Sequence, residues 1–110
     1  MDNEKLYRQY LPMSETAYYI LLSLTTTRHG YGIIQWVEEL TQGRIHLGPG
    51  TIYGSLSRME KDRLIQAVAE EERRKLYRIT PSGKELLKLE IARITELYEN
   101  AKKVEGSLYE

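Results

Sequence analysis

Between Leu47 and Ile65 the chain reads LGPGTIYGSLSRMEKDRLI, and this stretch limits the fold more than any other. Gly48, Pro49 and Gly50 break whatever precedes them. From Thr51 onward Ile52, Leu56 and Met59 recur at spacings of four and three, which predicts an amphipathic helix with one apolar stripe toward a core. The opposite face carries Thr51, Tyr53, Ser55, Ser57 and Arg58, with Gly54 keeping part of it low. An ordinary solvated face is rich in Glu and Lys. This one is short, hydroxyl-rich and singly cationic, and suits close approach to phosphates and base edges. The reading is a recognition helix of a winged helix-turn-helix that binds duplex DNA, with Pro49 at its entry among the candidate contacts.

A chain of 110 residues suits one domain and buries roughly two-thirds of its unfolded surface, so its core is thin and a second copy would help it. No apolar run approaches the roughly 20 residues of a membrane span, and no secretory signal stands at the N-terminus. The absence of cysteine excludes disulfides and thiolate metal sites and suits a cytoplasmic protein. Net charge is zero, with 16 basic and 16 acidic residues, yet the charges are unevenly placed. Residues 1–43 hold three basic and five acidic side chains, residues 44–78 eight and five, and residues 79–110 five and six. The middle segment is therefore the positive one, as a footprint on phosphate requires.

In chain order, residues 1–13 form an arm or a short helix. Ser14 offers an N-cap and Glu15 a first-turn anion for a helix to about Thr26, apolar over much of its circumference. After Arg28, His29 and Gly30, a second helix from Tyr31 to Thr41 turns Ile33, Ile34, Val37 and Leu40 inward, with Trp36 extending that face. Gly43 is placed as a C-cap glycine, and Ile45 and Leu47 permit a very short strand. Past Asp62 the pattern becomes strand-like over Leu64 to Ala69 and again over Leu76 to Ile79. The charged run Glu70 to Lys75 between them completes a β-hairpin, the wing. Thr80 and Pro81 then start a final helix reaching about Tyr109. Along it Leu87, Ile91, Ile94, Tyr98, Ala101 and Leu108, flanked by Leu86, Leu97 and Val104, form a seam suited to the same helix of a second subunit, with a cover for the chain's own three-helix core as the alternative. The fold class is mainly α (α+β). A winged helix-turn-helix spans residues 14–80, and a long C-terminal dimerisation helix spans 81–110.

Three fragments in this order resemble the PadR family of bacterial transcriptional regulators in its short form. They are HGYGI (His29 to Ile33), GTIYGSLSRMEKDRLI (Gly50 to Ile65) and RRKLYRITPSGKELL (Arg73 to Leu87). The resemblance covers roughly residues 14–90. It implies a homodimer with the helix near Gly50 in the major groove and the tip at Arg73 to Lys75 beside the backbone or minor groove. It also implies repression relieved by a small aromatic or drug-like effector. The sequence departs from the family in three places. Arg63 stands where glycine is common, Glu70 to Glu72 replace the glycines of the wing tip, and the final helix has no tryptophan, the chain's only one being Trp36.

The candidate DNA contacts are thus Tyr31, Pro49, Thr51, Tyr53, Ser55, Ser57, Arg58, Arg73, Arg74 and Lys75. Tyr53 has packing at the domain edge as its alternative role, and Arg58 has pairing with Asp62 at i+4. Trp36 and Tyr98 are the candidate effector contacts. His29 and His46 lack metal-ligand spacing, and no cofactor is indicated. Ser55 and Ser57 lack a His and Asp arrangement, and GPGTIYG lacks the Lys-Ser/Thr ending of a phosphate loop, so no catalytic constellation appears. The competing class is a winged-helix adaptor that binds protein instead of DNA.

Overall fold

Three polar side chains standing in extended backbone set where helices begin. Ser14 Oγ accepts from the backbone N–H of Ala17 at 3.1 Å, opening α2 (Glu15–Ser23). His29 Nδ1 accepts from Gly32 N–H at 3.0 Å, opening α3 (Gly30–Leu40). Thr80 Oγ1 accepts from Gly83 N–H at 3.1 Å, opening α5 (Pro81–Val104). Each satisfies a first-turn donor that the helix itself leaves orphaned. The helix α4 (Pro49–Lys61) has glycine at its cap and no side-chain bond there, and relies on Pro49, whose fixed φ suits the first turn. The computed structural model describes residues 3–110, and its chain begins with a short helix, α1 (Asn3–Tyr10).

The turn out of α4 explains the departure at Arg63. Leu64 N–H reaches back to Met59 C=O at 2.9 Å and Arg63 N–H to Glu60 C=O at 3.0 Å, which is the Schellman pattern. That pattern needs a left-handed residue after the cap, and Arg63 supplies it at φ 60°. The left-handed turn is kept with a residue that carries a Cβ. At the end of α3 the same pattern places Gln42 (φ 54°) at the left-handed position, so Gly43 lies one residue beyond the expected cap site. The helix α2 ends at Ser23, three residues earlier than its β-branched tail suggests. Ser23 Oγ and Thr25 Oγ1 bond back to the carbonyls of Ile20 and Leu22, at 2.6 and 2.8 Å, in competition with the helical ladder.

Ile20, Leu21 and Leu24 on one side and Ile33, Val37, Ile52, Leu56 and Met59 on the other close a three-helix core. Leu40 lies outside it, 54% exposed, against expectation, because α3 turns it past the end of the packed stripe. No strand forms at Ile45 to Leu47. The wing pairs β1 (Ile65–Glu71) with β2 (Arg74–Ile79) antiparallel, with a bulge at Val68. Arg28 and Tyr77 bridge their backbones at 2.8 and 3.1 Å, so the segment before α3 takes the third-strand position. Glu70, Glu71, Arg74 and Lys75, expected in the turn, belong to the strands. The turn itself is Glu72–Arg73, both at positive φ (51° and 69°), as a two-residue hairpin of this hand requires.

The first three turns of α5 are part of this body. A Cβ on Gly83 would be driven into the carbonyl oxygen of Leu64, and Leu86 and Leu87 are buried. Leu87, placed above on the dimer seam, is 5% exposed and serves the chain's own core. From Ile91 onward α5 leaves the body, with Ile91, Leu97, Tyr98, Val104 and Leu108 exposed, Ile94 half-buried and Ala101 exposed. The helix ends at Val104, and Glu105–Tyr109 continues as a 3₁₀ turn, since Gly106 weakens the α pattern.

Candidate nucleic-acid interface

The first turns of α4 leave Pro49, Gly50, Thr51, Tyr53 and Gly54 exposed, while Ile52 and Leu56 hold the helix to the core. Ser57 and Arg58 continue the exposed face one turn on, and Ser55 is half-buried at its edge. Tyr53 is 54% exposed. Its ring nonetheless lies across Gly30, where an added Cβ would meet Tyr53 Cε1 at 2.9 Å and Oη at 3.1 Å. The packing role weighed for Tyr53 is seen, and it leaves part of the ring open. One edge packs on Gly30, and the rest faces outward. Gly30, the first glycine of HGYGI, is thereby explained as room for this ring. Tyr31 beside it is likewise exposed.

The wing brings its cations to the same place. His29, Gly30, Tyr53, Arg73, Arg74, Lys75 and Tyr77 line one open cavity of about 290 Å³ between α4, the start of α3 and the hairpin. Tyr53 and the three tip cations were expected from sequence. His29, Gly30 and Tyr77 were not, although HGYGI already marked the first two. Register sets Glu70 opposite Lys75 and Glu71 opposite Arg74. Among the described residues none of the tip charges forms an ion pair within 4 Å, so Arg73, Arg74 and Lys75 are left available to an anion.

Arg58 stands apart from this cavity. It borders a hollow of about 210 Å³ with Gln9, Tyr10, Pro12, Ser14 and Ala17. The pairing with Asp62 does not form, because that carboxylate accepts from Tyr10 Oη at 2.6 Å and from Gln9 Nε2 at 3.5 Å. Burial and the neighbouring Asp62 push the Tyr10 hydroxyl far above the ordinary phenol range, so it stays a donor. The helix α1 is thereby pinned to the far end of α4. Trp36 lies under the guanidinium of Arg28, 5.0 Å from the ring centroid, and Tyr98 lies under Lys102 at 5.6 Å. Neither lines the cavities described here. A third hollow, of about 390 Å³, is bounded by Met13, Glu15, Tyr18, Tyr19, Glu90, Arg93 and Ile94. Among the described residues no group of three or more His, Asp or Glu is placed to hold a metal, and no helix is long and apolar enough to cross a membrane.

The model of the transcriptional regulator PadR-like family matches residues 16–89, well over half the chain. The chain belongs to that family. That family is one of transcriptional regulators, a class distinct from enzymes. Transcriptional regulator YqjI of Escherichia coli is 37% identical over 59 residues, 54% of this chain and 28% of that protein. Transcriptional regulator Rv3488 of Mycobacterium tuberculosis is 38% identical over 53 residues, 46% of this chain and 50% of the relative. The chain thus spans half or less of the length of these two relatives. A solved PadR-like transcription factor from Bacteroides fragilis superposes with a TM-score of 0.68 at 28% identity, covering 94% of this chain and 99% of the other. A transcriptional regulator from Clostridium thermocellum gives 0.64 at 28% identity, covering 96% and 99%.

Proposed function

We propose that this PadR-like chain is a cytoplasmic, homodimeric repressor that reads an inverted-repeat operator through α4 and steadies itself on phosphates through the wing. One observation carries the reading. The exposed edge of Tyr53 on α4 and the three unpaired cations of the hairpin line a single cavity. A helix face of Thr51, Tyr53 and Ser57 supplies hydroxyls for base edges and phosphates, and the tip supplies charge. Residues 14–80 are the DNA-binding body in this reading, and the free part of α5 is the dimer element. Its stripe of Ile91, Leu97, Tyr98 and Leu108, with Ala101, is exposed, and Ile94 beside it is half-buried. The reading includes a small aromatic or drug-like effector that lowers operator affinity. Tyr98, 59% exposed on that stripe, is the better placed candidate to meet it, since Trp36 is half-buried.

The test is selection of bound duplexes from a random pool. An inverted repeat with half-sites about one helical turn apart is the expected product. A pool that is never enriched supports the protein-adaptor reading and removes this one.

A further inference from the structure

We propose that His29 is itself a DNA contact, one ring nitrogen capping α3 and the other donating a hydrogen bond to a backbone phosphate of the duplex. The proposal rests on the DNA-binding reading above and adds to it a residue outside the exposed face of α4 and the wing tip.

The ring's chemistry follows from its cap. Nδ1 accepts from Gly32 N–H at 3.0 Å. A nitrogen that accepts carries no hydrogen, so in the neutral ring the hydrogen sits on Nε2. Nε2 has no bond to any described residue, and the ring borders the cavity that Arg73, Arg74, Lys75 and Tyr53 surround. The same bond to Gly32 N–H sets the direction in which the ring points. The site therefore holds a directed neutral donor among three unpaired cations. Its complement is an anion rich in acceptor oxygens, and the phosphodiester is the group a duplex offers there.

The residue type points the same way. Helix caps are usually Ser, Thr, Asn or Asp, and among the described residues Ser14 and Thr80 are the other side-chain caps. A cap alone needs nothing longer. An imidazole adds a second polar atom on the far side of the ring, which matters only if something is there to receive it.

The experiment compares wild type with His29→Asn and His29→Ser, both of which retain a capping oxygen, on the duplex recovered by selection. Affinity is followed against salt by fluorescence anisotropy and folding by thermal melting. A loss of roughly tenfold in affinity is expected for both variants, at nearly unchanged melting temperature. The half-site preference is expected to stay as it was, because a phosphate contact positions without specifying. The salt slope is expected to stay too, because a neutral donor displaces no counterion, whereas Arg74→Ala lowers it. Wild-type affinity in the Asn variant, or an altered half-site, would overturn the proposal. Should both variants unfold, the wild-type protein decides. Its His29 Nε2 resonance must move when duplex is added, and an unmoved resonance sinks the contact. A wild type that binds no duplex at all removes the DNA-binding reading, and this proposal with it.

Discussion

Removing the Glu90 carboxylate tests how the long helix is held to the body. Glu90 is 1% exposed and is the last buried residue of α5 before the helix leaves the core. Its Oε2 accepts from Met13 N–H at 2.8 Å and from Arg93 Nη2 at 3.0 Å, and its Oε1 accepts from Arg93 Nε at 2.6 Å. Glu90→Ala leaves the Met13 N–H buried without a partner, at a cost of roughly 1–3 kcal/mol. Lost methylene packing adds about 1 kcal/mol. The Arg93 side chain is 38% exposed and can turn to water, so its half of the pair adds little. About 3 kcal/mol results, or roughly a 10 °C fall in Tm for a domain of this size. Glu90→Gln keeps an acceptor for Met13 and gives up the charge, so it loses about half as much.

Thermal melting at one fixed protein concentration reads both variants. The Arg93 hydrogen bonds, opposed by burial and aided by Met13 N–H, hold the Glu90 carboxyl below its usual range. Its stabilisation is therefore present above the ordinary carboxylate pKa and is lost as pH falls through the lowered native value. Wild type must lose this share on acidification below about pH 4, and Glu90→Gln must not. Glu90→Ala costing under about 0.5 kcal/mol, or Gln and Ala costing the same, would refute the reasoning.

Other substitutions separate packing from contact. Gly30→Ala presses a methyl against the Tyr53 ring, so it is expected to lower duplex affinity several-fold while the core stays folded; unchanged affinity would show that the ring's placement is immaterial. Ile91→Asp is expected to give a folded monomer on sizing, whereas Leu87→Asp is expected to unfold the chain, because only the second side chain is buried at home. Equal behaviour of the two would contradict that division of α5. Tyr10→Phe removes the 2.6 Å bond to Asp62 and is expected to cost about 1–2 kcal/mol by denaturant titration, with no loss outside error as the contrary result.

The sequence made some of this legible because local chemistry decides it. Ser14 and Thr80 are caps wherever a helix follows, and Ile52, Leu56 and Met59 face inward because their spacing allows one buried stripe. Leu87 and Ile91 share a single period, and periodicity cannot tell a chain's own core from a partner's surface. Position along the helix relative to the body leaves Leu87 buried and Ile91 exposed. Glu90 reads as a surface charge from its type and is buried only because Met13 and Arg93 come to it. From sequence the wing tip reads as a six-residue turn because Glu70 to Lys75 is an unbroken charged run. Glu72 and Arg73 take positive φ regardless, held by the strand register on either side. From sequence His29 raises only the question of a metal; that its ring is bonded at one nitrogen and borders the cavity is visible only in the fold.

The slope of duplex affinity with salt tests the central reading most directly. With the three tip cations on phosphates, log affinity is expected to fall linearly with log salt. The slope should become shallower by close to one unit in Arg74→Ala, and Tyr53→Ala with Arg74→Ala should abolish binding by a folded dimer. A protein whose affinity ignores salt, or a double variant that binds as wild type does, would place the DNA surface somewhere other than the cavity between α4 and the wing.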